Sequence, residues 1–279
     1  MHKKDIDSVL KTIDLSMSTY IGNSRISQFN SPDVQSIVLD AYMADVLKTS
    51  FKLNRISNGL FDITVKPLVA AWGFGPNKSA KYPTAEEITA LLDVVGMQKL
   101  QLTKKKLRKL KPGLSIDLNG IAQGYSVDVL CKVLDKQGIK NYIVELGGEI
   151  RSKGKKSDGQ HFQVAVERPS QMEQEPLRLL LTNCAVTTSG SYQEMLSYKD
   201  KKIHHHIDPR SGYPLQSSVL SVTVIAPTGI LADGYDNVFM AMPIAAGLAL
   251  ANRLKGVEVY LIYQEEGTIK EAFSKGFSQ

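Results

Sequence analysis

The 279-residue chain has only two cysteines, one tryptophan and no long apolar run. Two cysteines cannot form a disulfide framework. Cys131 and Cys184 each sit among apolar neighbours, so both are expected to be reduced core residues, which leaves the compartment open. No stretch approaches the roughly 18 consecutive apolar residues of a membrane-spanning helix. The start, Met1-His2-Lys3-Lys4-Asp5, is positive, but no apolar segment follows, so it is not a secretory signal. The chain is then either cytosolic or a protein whose leader has been removed. Several common catalytic signatures are also missing: G-x-x-x-x-G-K-[ST], H-E-x-x-H, C-x-x-C and G-x-S-x-G. Neither fixed-period repeats nor low-complexity tracts occur.

What is present is the composition of a globular protein, 43% hydrophobic and 22% charged. Lys and Arg total 34 against 28 for Asp and Glu, a formal charge of +6. Most basic residues are scattered, whereas a nucleic-acid binder gathers them into a stripe with aromatics between, so nucleic acid is not expected as a partner. The one dense run holds Lys104, Lys105, Lys106, Arg108, Lys109 and Lys111, interrupted by Leu107 and Leu110 and ended by Pro112-Gly113. It reads as the solvated face of a β-hairpin rather than a phosphate-binding patch.

Ile6, Val9, Leu10, Ile13 and Met17 fall at helical spacing. Ser31-Pro32 suits a helix start, N-cap then first turn, for a helix through Val34, Ile37, Val38, Ala41, Met43 and Val46 to about Leu53. Thr84 and Glu87 have capping-box spacing and open a helix ending near Val95-Gly96. Residues 99–118 read as strand, basic turn, strand, and Gly120 begins a helix through Val133. Strands are expected at 141–146, 162–167, 177–182, 185–188, 219–226 and 257–263, and helices at 228–241 and 243–254. Helices and hairpin-like strand pairs are mixed without regular βαβ alternation. This favours an α+β fold of mixed, largely antiparallel sheets with packed helices. No linker divides the chain, so it is read as one domain over 1–279.

Polar and glycine-bearing segments stand where binding sites form, at strand ends and helix starts. In Asp117-Leu118-Asn119-Gly120-Ile121-Ala122-Gln123-Gly124-Tyr125 a strand meets a helix N-terminus, whose free N–H groups and dipole suit a phosphate. A plain strand-to-helix turn explains it equally. Asp233, Asp236 and Asn237 at i, i+3 and i+4 share one helical face and offer the oxygen ligands of a hard cation; helix capping is the alternative. Of His204-His205-His206, either the outer two or His205 alone faces one site. A single imidazole there suits a general base, and a structural role stays open.

Together these segments, with Met17-Ser18-Thr19-Tyr20, Ser24-x-Ile26-Ser27-x-Phe29-Asn30, Phe61-Asp62-Ile63-Thr64-Val65-Lys66-Pro67-Leu68, Trp72-Gly73-Phe74-Gly75 and Glu145-Leu146-Gly147-Gly148-Glu149, closely resemble the ApbE family of FAD:protein FMN transferases over nearly the whole chain. The resemblance implies an ApbE-like fold with a ligand cleft between two lobes. It also implies Mg²⁺-dependent transfer of FMN from FAD to a Thr or Ser hydroxyl of an acceptor flavoprotein subunit, releasing AMP. It makes His205, in H-x-x-D-P, the base. Mg²⁺ would be held by the Ala122 carbonyl, Asp233 and the position of Asn237. FAD would meet Asp117, Asn119, Gly120, Gln123, Glu149, Thr188, Ser189 and Gly190, with Met17 and Tyr20 near the flavin ring or adenine.

Two departures stand out. Gln123 occupies a position where the family usually has Lys, so a positive charge is missing near the phosphates. Asn237 stands where the family usually has Thr, although an amide oxygen can coordinate Mg²⁺. The resemblance further implies a lipid-anchored protein on the outer, periplasmic side of the inner membrane. Leader and first strand would precede Met1, and the membrane would be met only through that anchor. Two other readings keep the flavin: an FAD pyrophosphatase giving FMN and AMP, and a non-catalytic FAD-binding protein.

Overall fold

A computed structural model describes residues 3–74, 82–169, 172, 175–190, 195–198, 201–204 and 206–278. Their contacts divide the chain into two compact units. A sheet unit takes Met1–Ile6, Gln123–Ser191 and Ser217–Gln279, and a helical unit takes Asp7–Ala122 and Tyr192–Gln216. Every ladder among the described residues is antiparallel. The architecture is α+β, as the mixed periodicity indicated.

The helical unit holds most of α1 (Lys3–Met17), then α2 (Arg25–Asn30), β1 (Ser36–Val38), α3 (Ala41–Ile56), α4 (Lys66–Ala71), α5 (Ala85–Leu92), β2 (Leu100–Leu102) and β3 (Lys106–Lys109). The helix expected from Ser31-Pro32 is not there. Ser24 caps the short α2 by accepting the Ser27 N–H at 3.1 Å, and residues 36–38 pair with β3 instead. The long helix begins only at Asp40, whose Oδ1 accepts the Met43 N–H at 2.8 Å. Asp fills the N-cap role better placed than Ser31, because Ile37 is needed in the sheet core. The capping box at Thr84 and Glu87 forms as expected and opens α5.

The basic run needs a correction. In the order β1-β3-β2, the period of two turns Leu107 and Lys109 inward while Lys106 and Arg108 face outward. Lys109 is 2% exposed, its Nζ 5.0 Å from the Phe29 ring centre and donating to the Ser31 carbonyl at 3.0 Å. Burial lowers the pKa of its ammonium. The second strand also stops at Lys109 rather than continuing to Leu118. Beyond it the Asn30 amide pins the main chain of Ile116 in both directions, at 2.8 and 2.7 Å, so Leu114 and Ile116 are buried without a ladder.

Within the same unit, the Asp62 carboxylate caps Thr64 and receives the Met97 N–H at 3.0 Å, while Thr64 Oγ1 receives the Gly96 N–H at 2.6 Å. Trp72 donates its indole N–H to the Gly212 carbonyl at 2.8 Å, above a core of Leu68, Ile88, Val95 and Ile207. Two of the recognised motifs thus meet as packing partners. The hairpin β9 (Met195–Tyr198) and β10 (Lys201–His204) belongs to this unit as well.

The sheet unit is built on six strands in the order β13-β12-β11-β8-β5-β4: β4 (Tyr142–Leu146), β5 (Glu149–Lys153), β8 (Ala185–Gly190), β11 (Val219–Ala226), β12 (Glu258–Glu265) and β13 (Thr268–Phe273). A separate hairpin, β6 (Phe162–Val166) with β7 (Leu177–Leu181), buries Leu177, Leu179 and Leu181 with Tyr260 and Ile262. Strands β5 and β13 and the β9–β10 hairpin lie outside the sequence-based strand set. β5 carries charge on alternate positions, Glu149, Arg151 and Lys153, and β13 has the adjacent charges Lys270 and Glu271 at its centre, so neither reads as an apolar strand. Helices α6 (Asn119–Lys136), α7 (Gly229–Ala241) and α8 (Ile244–Ala251) complete the elements, the unit division falling inside α6. Cys131 and Cys184 are both free thiols, and burial raises both, Cys131 to about 11.

Candidate active site

The site residues of the sheet unit converge on the crossing of α6 and α7. Glycine makes the crossing possible: a Cβ on Gly124 would lie 2.2 Å from the Gly229 carbonyl, and one on Gly229 would lie 2.3 Å from the Gly124 carbonyl. Backbones this close let the Gly124 N–H reach Asp233 Oδ2 at 2.8 Å. Asp128, one turn further along α6, accepts the N–H groups of Gly229 at 2.8 Å and Ile230 at 3.0 Å, and pairs with Arg151 at 2.5 Å. It thereby satisfies the orphan donors at the start of α7 and holds that helix by its N-terminus.

The α7 face predicted from spacing is present but buried. Asp233 is 4% and Asp236 1% exposed. Asn237 Nδ2 donates to the Asp233 main-chain carbonyl at 3.1 Å. Desolvation raises Asp233 to about 7, with the Gly124 N–H opposing it. Asp236 is pushed well above its ordinary value, by burial first and by Asp233 as well. Ser189 lies beside Asp236 and favours its charged form, but neither carboxylate oxygen finds a partner at hydrogen-bonding geometry among the described residues. The i, i+3 spacing puts Asp236 on this face beside Asp233, and the sequence alone gives it no role.

Glu149 completes the acidic group. It opens β5 immediately after Gly147 and Gly148, both at positive φ (60° and 104°), the two-residue hairpin geometry that favours glycine. Burial raises Glu149 to about 8, Asp233, Asp236 and Glu145 adding to the shift, and its Oε2 has no hydrogen-bond partner among the described residues. Gln123 Nε2 donates to the Leu146 carbonyl at 3.0 Å and would collide with any Cβ on Gly147. Where a lysine would bring charge, Gln123 braces the turn that presents Glu149. Thr188 Oγ1 lies 3.0 Å from Thr223 Oγ1, and Ser189 and Gly190 lie on β8 opposite Val222 and Ser221.

The other sequence-derived residues belong to the helical unit. Met17 ends α1 at 2% exposure, and Tyr20, three residues on, is 66% exposed. Asp117 Oδ1 accepts the Asn119 N–H at 2.9 Å, capping the start of α6, where Gly120 departs from helical geometry. Burial raises Asp117 despite that bond and the Lys66 charge. Ala122 is the last residue of this unit before the chain enters the sheet unit. His205 lies outside the described residues. Its motif continues at Asp208, which burial pushes upward but which Arg210, bonded at 2.8 and 3.0 Å, holds below its ordinary value.

Among the described residues no three His, Cys, Asp or Glu side chains form a complete metal cage. The donor set nevertheless fits Mg²⁺, which takes one or two protein carboxylates and fills its remaining positions with water and substrate phosphate. Asp236, whose buried oxygens have no hydrogen-bond partner among the described residues, lies close enough to Asp233 to raise its own pKa, and a cation held at Asp233 would offset its charge as well.

Linkage gives this a measurable sign. In the folded, metal-free chain Asp233 and Glu149 keep protons up to about pH 7 and 8 that the unfolded chain releases near 4. Their stabilising contribution is full below pH 4 and is lost as pH rises through 7 to 8. Thermal melts without metal should therefore weaken across that window, and Mg²⁺ should raise the melting temperature more at pH 8 than at pH 6. A Mg²⁺ effect independent of pH contradicts a cation at this cluster.

Asp128 carries a separate expectation. Asp128→Ala leaves two helix N–H groups and Arg151 without their acceptor, and should destabilise the fold by about 3–5 kcal/mol. A thermal melt checks this, and a change under about 1 kcal/mol contradicts the clamp.

The family model described as "ApbE family" matches residues 2–261. A relative from Haemophilus influenzae named "FAD:protein FMN transferase" is 35% identical over 99% of this chain and 82% of its own length. One of the same name from Escherichia coli K12 is 34% identical over 99% of this chain and 80% of its own length. Among solved structures, the flavin transferase ApbE from Vibrio cholerae superposes with a TM-score of 0.89 at 36% identity, covering 99% of this chain and 88% of that one. The Pseudomonas stutzeri flavinyl transferase ApbE in its apo form gives 0.89 at 31%, covering 98% and 85%.

Proposed function

From the premise that the chain belongs to the ApbE family and is an FAD:protein FMN transferase, we propose that it moves FMN from FAD onto a Thr or Ser hydroxyl of an acceptor flavoprotein subunit. The reaction releases AMP and depends on Mg²⁺. The observation that carries this reading is the buried acidic face of α7, with Asp233 tied to Gly124 and the Asp236 oxygens unpartnered.

In this scheme the acceptor oxygen attacks the FMN-side phosphorus, its proton passes to the His205 imidazole, and the pyrophosphate P–O bond breaks with AMP taking the electron pair. A phosphodiester joins FMN to the protein. Asp233 and Asn237 would hold Mg²⁺, with the Ala122 carbonyl assigned by the family pattern. The ion's contribution, when bound, is to neutralise the diphosphate. Asp117, Asn119, Gly120, Gln123, Glu149, Thr188, Ser189, Gly190, Met17 and Tyr20 are proposed to bind FAD. No described helix is long and apolar enough to cross a membrane. We place the protein outside the cytoplasm, on the family's pattern.

The test is incubation with FAD, an acceptor subunit and Mg²⁺. A fluorescent flavin band that survives denaturing electrophoresis, and disappears with chelator, is expected. Intact FAD under Mg²⁺ would instead indicate a flavin-binding protein.

A further inference from the structure

We propose that the β2–β3 hairpin of the helical unit docks this protein on an anionic phospholipid surface. The first observation is where the charge lies. Lys104–Lys111 contains six of the 34 basic residues and no acid, so the remainder has 34 − 6 = 28 basic against 28 acidic residues and no net charge. The whole formal charge of +6 therefore resides in eight residues.

The fold then sorts these six. Lys109 is buried against Phe29, and Lys111 pairs with Asp93. Lys104, Lys105, Lys106 and Arg108 are exposed, and their side chains make no ion pair or hydrogen bond among the described residues. Four neighbouring cations are thus left without an ion-pair partner among the described residues.

The third observation decides what they fit. Lys106 and Arg108 share the outer face of the three-stranded sheet with Leu110, 56% exposed, and with Val38, 64% exposed and directly opposite Lys106. The neighbouring outward residues Ser36, Gln101 and Thr103 carry no charge. No aromatic side chain lies on these strands for bases to stack on, which argues against nucleic acid. The four cations lie on an exposed strand face and its turn, with no hydrogen bond among the described residues fixing their side chains to select one shaped anion. Cations mixed with aliphatic side chains match a headgroup layer, which offers diffuse negative charge and an apolar boundary without needing geometric complementarity. This inference does not depend on the proposed chemistry.

The experiment is co-sedimentation of the whole chain with phosphatidylglycerol–phosphatidylcholine vesicles and with phosphatidylcholine vesicles, at low and high salt. Binding is expected only to the anionic vesicles and should weaken with salt. Each cation near an anionic surface changes partitioning by about fivefold, so a chain carrying Lys104→Glu, Lys105→Glu, Lys106→Glu and Arg108→Glu should bind at least about 600-fold more weakly. A control carrying Lys48→Glu, Lys52→Glu, Lys136→Glu and Lys255→Glu alters net charge equally and should retain most of the binding. All four hairpin positions are exposed, and a melting temperature matching the parent verifies that the variant folds. The proposal is overturned by absence of anionic-vesicle binding, by equal loss in both variants, or by hairpin-dependent binding to an acidic polypeptide or oligonucleotide with none to vesicles.

Discussion

Replacing Asp233 with alanine should lower FMN transfer about a thousandfold or more at any fixed Mg²⁺ concentration. A cation on a transferring phosphoryl group contributes several kcal/mol of charge stabilisation, and each 1.36 kcal/mol is tenfold in rate. The substitution also removes the acceptor of the Gly124 N–H at the glycine crossing, so part of the loss should appear as disorder of α6 against α7. Two measurements separate these effects: a Mg²⁺ titration of turnover, and calorimetric Mg²⁺ binding to the variant without FAD. A titration that matches the unmodified protein would remove Asp233 from the metal site. Asp233→Asn keeps the acceptor oxygen for Gly124 and should melt near the parent temperature while still binding Mg²⁺ poorly, because the charge is gone.

His205→Ala is expected to have the other large effect, lowering transfer by about 10²–10⁴, the usual contribution of a positioned general base. FAD affinity should be nearly unchanged, since the imidazole is assigned to the acceptor's proton and not to the flavin. The pH profile discriminates further: the parent should lose activity below the imidazole's pKa, and the variant should lose that limb. Full activity in His205→Ala would return the His204-His205-His206 run to a structural role.

The parts of the molecule legible in the sequence were those where one local rule decides the outcome. The capping box at Thr84 and Glu87, the i, i+3, i+4 face at Asp233, Asp236 and Asn237, and the Gly147-Gly148 turn each follow from spacing and glycine geometry alone. The misread elements are those where tertiary pairing overrides local preference. Ser31-Pro32 has the chemistry of a helix start, but Ile37 is drawn into a ladder with Leu107 and the helix waits for Asp40. Lys109 belongs to a charged run, yet strand alternation carries it inward onto Phe29.

The site divides the same way. Asp233 stands out in the sequence by its spacing on one helical face, whereas the Asp128–Arg151 pair does not. Their role exists only because α6 and α7 cross at two glycines far apart in the chain, Gly124 and Gly229, and no periodicity encodes that approach. Gln123 shows the converse. As a departure from the family pattern it looked like a lost charge, and its contact with the Leu146 carbonyl gives it a bracing function in the turn before Glu149.

The most direct measurement is the molar ratio of AMP released to flavin covalently attached, in one reaction of the protein with FAD, Mg²⁺ and an acceptor subunit. Transfer to the acceptor requires equal amounts of the two, with the flavin on a Thr or Ser side chain through a phosphodiester. AMP released with no flavin on the acceptor would contradict this chemistry, since water would then be the nucleophile in place of the protein hydroxyl.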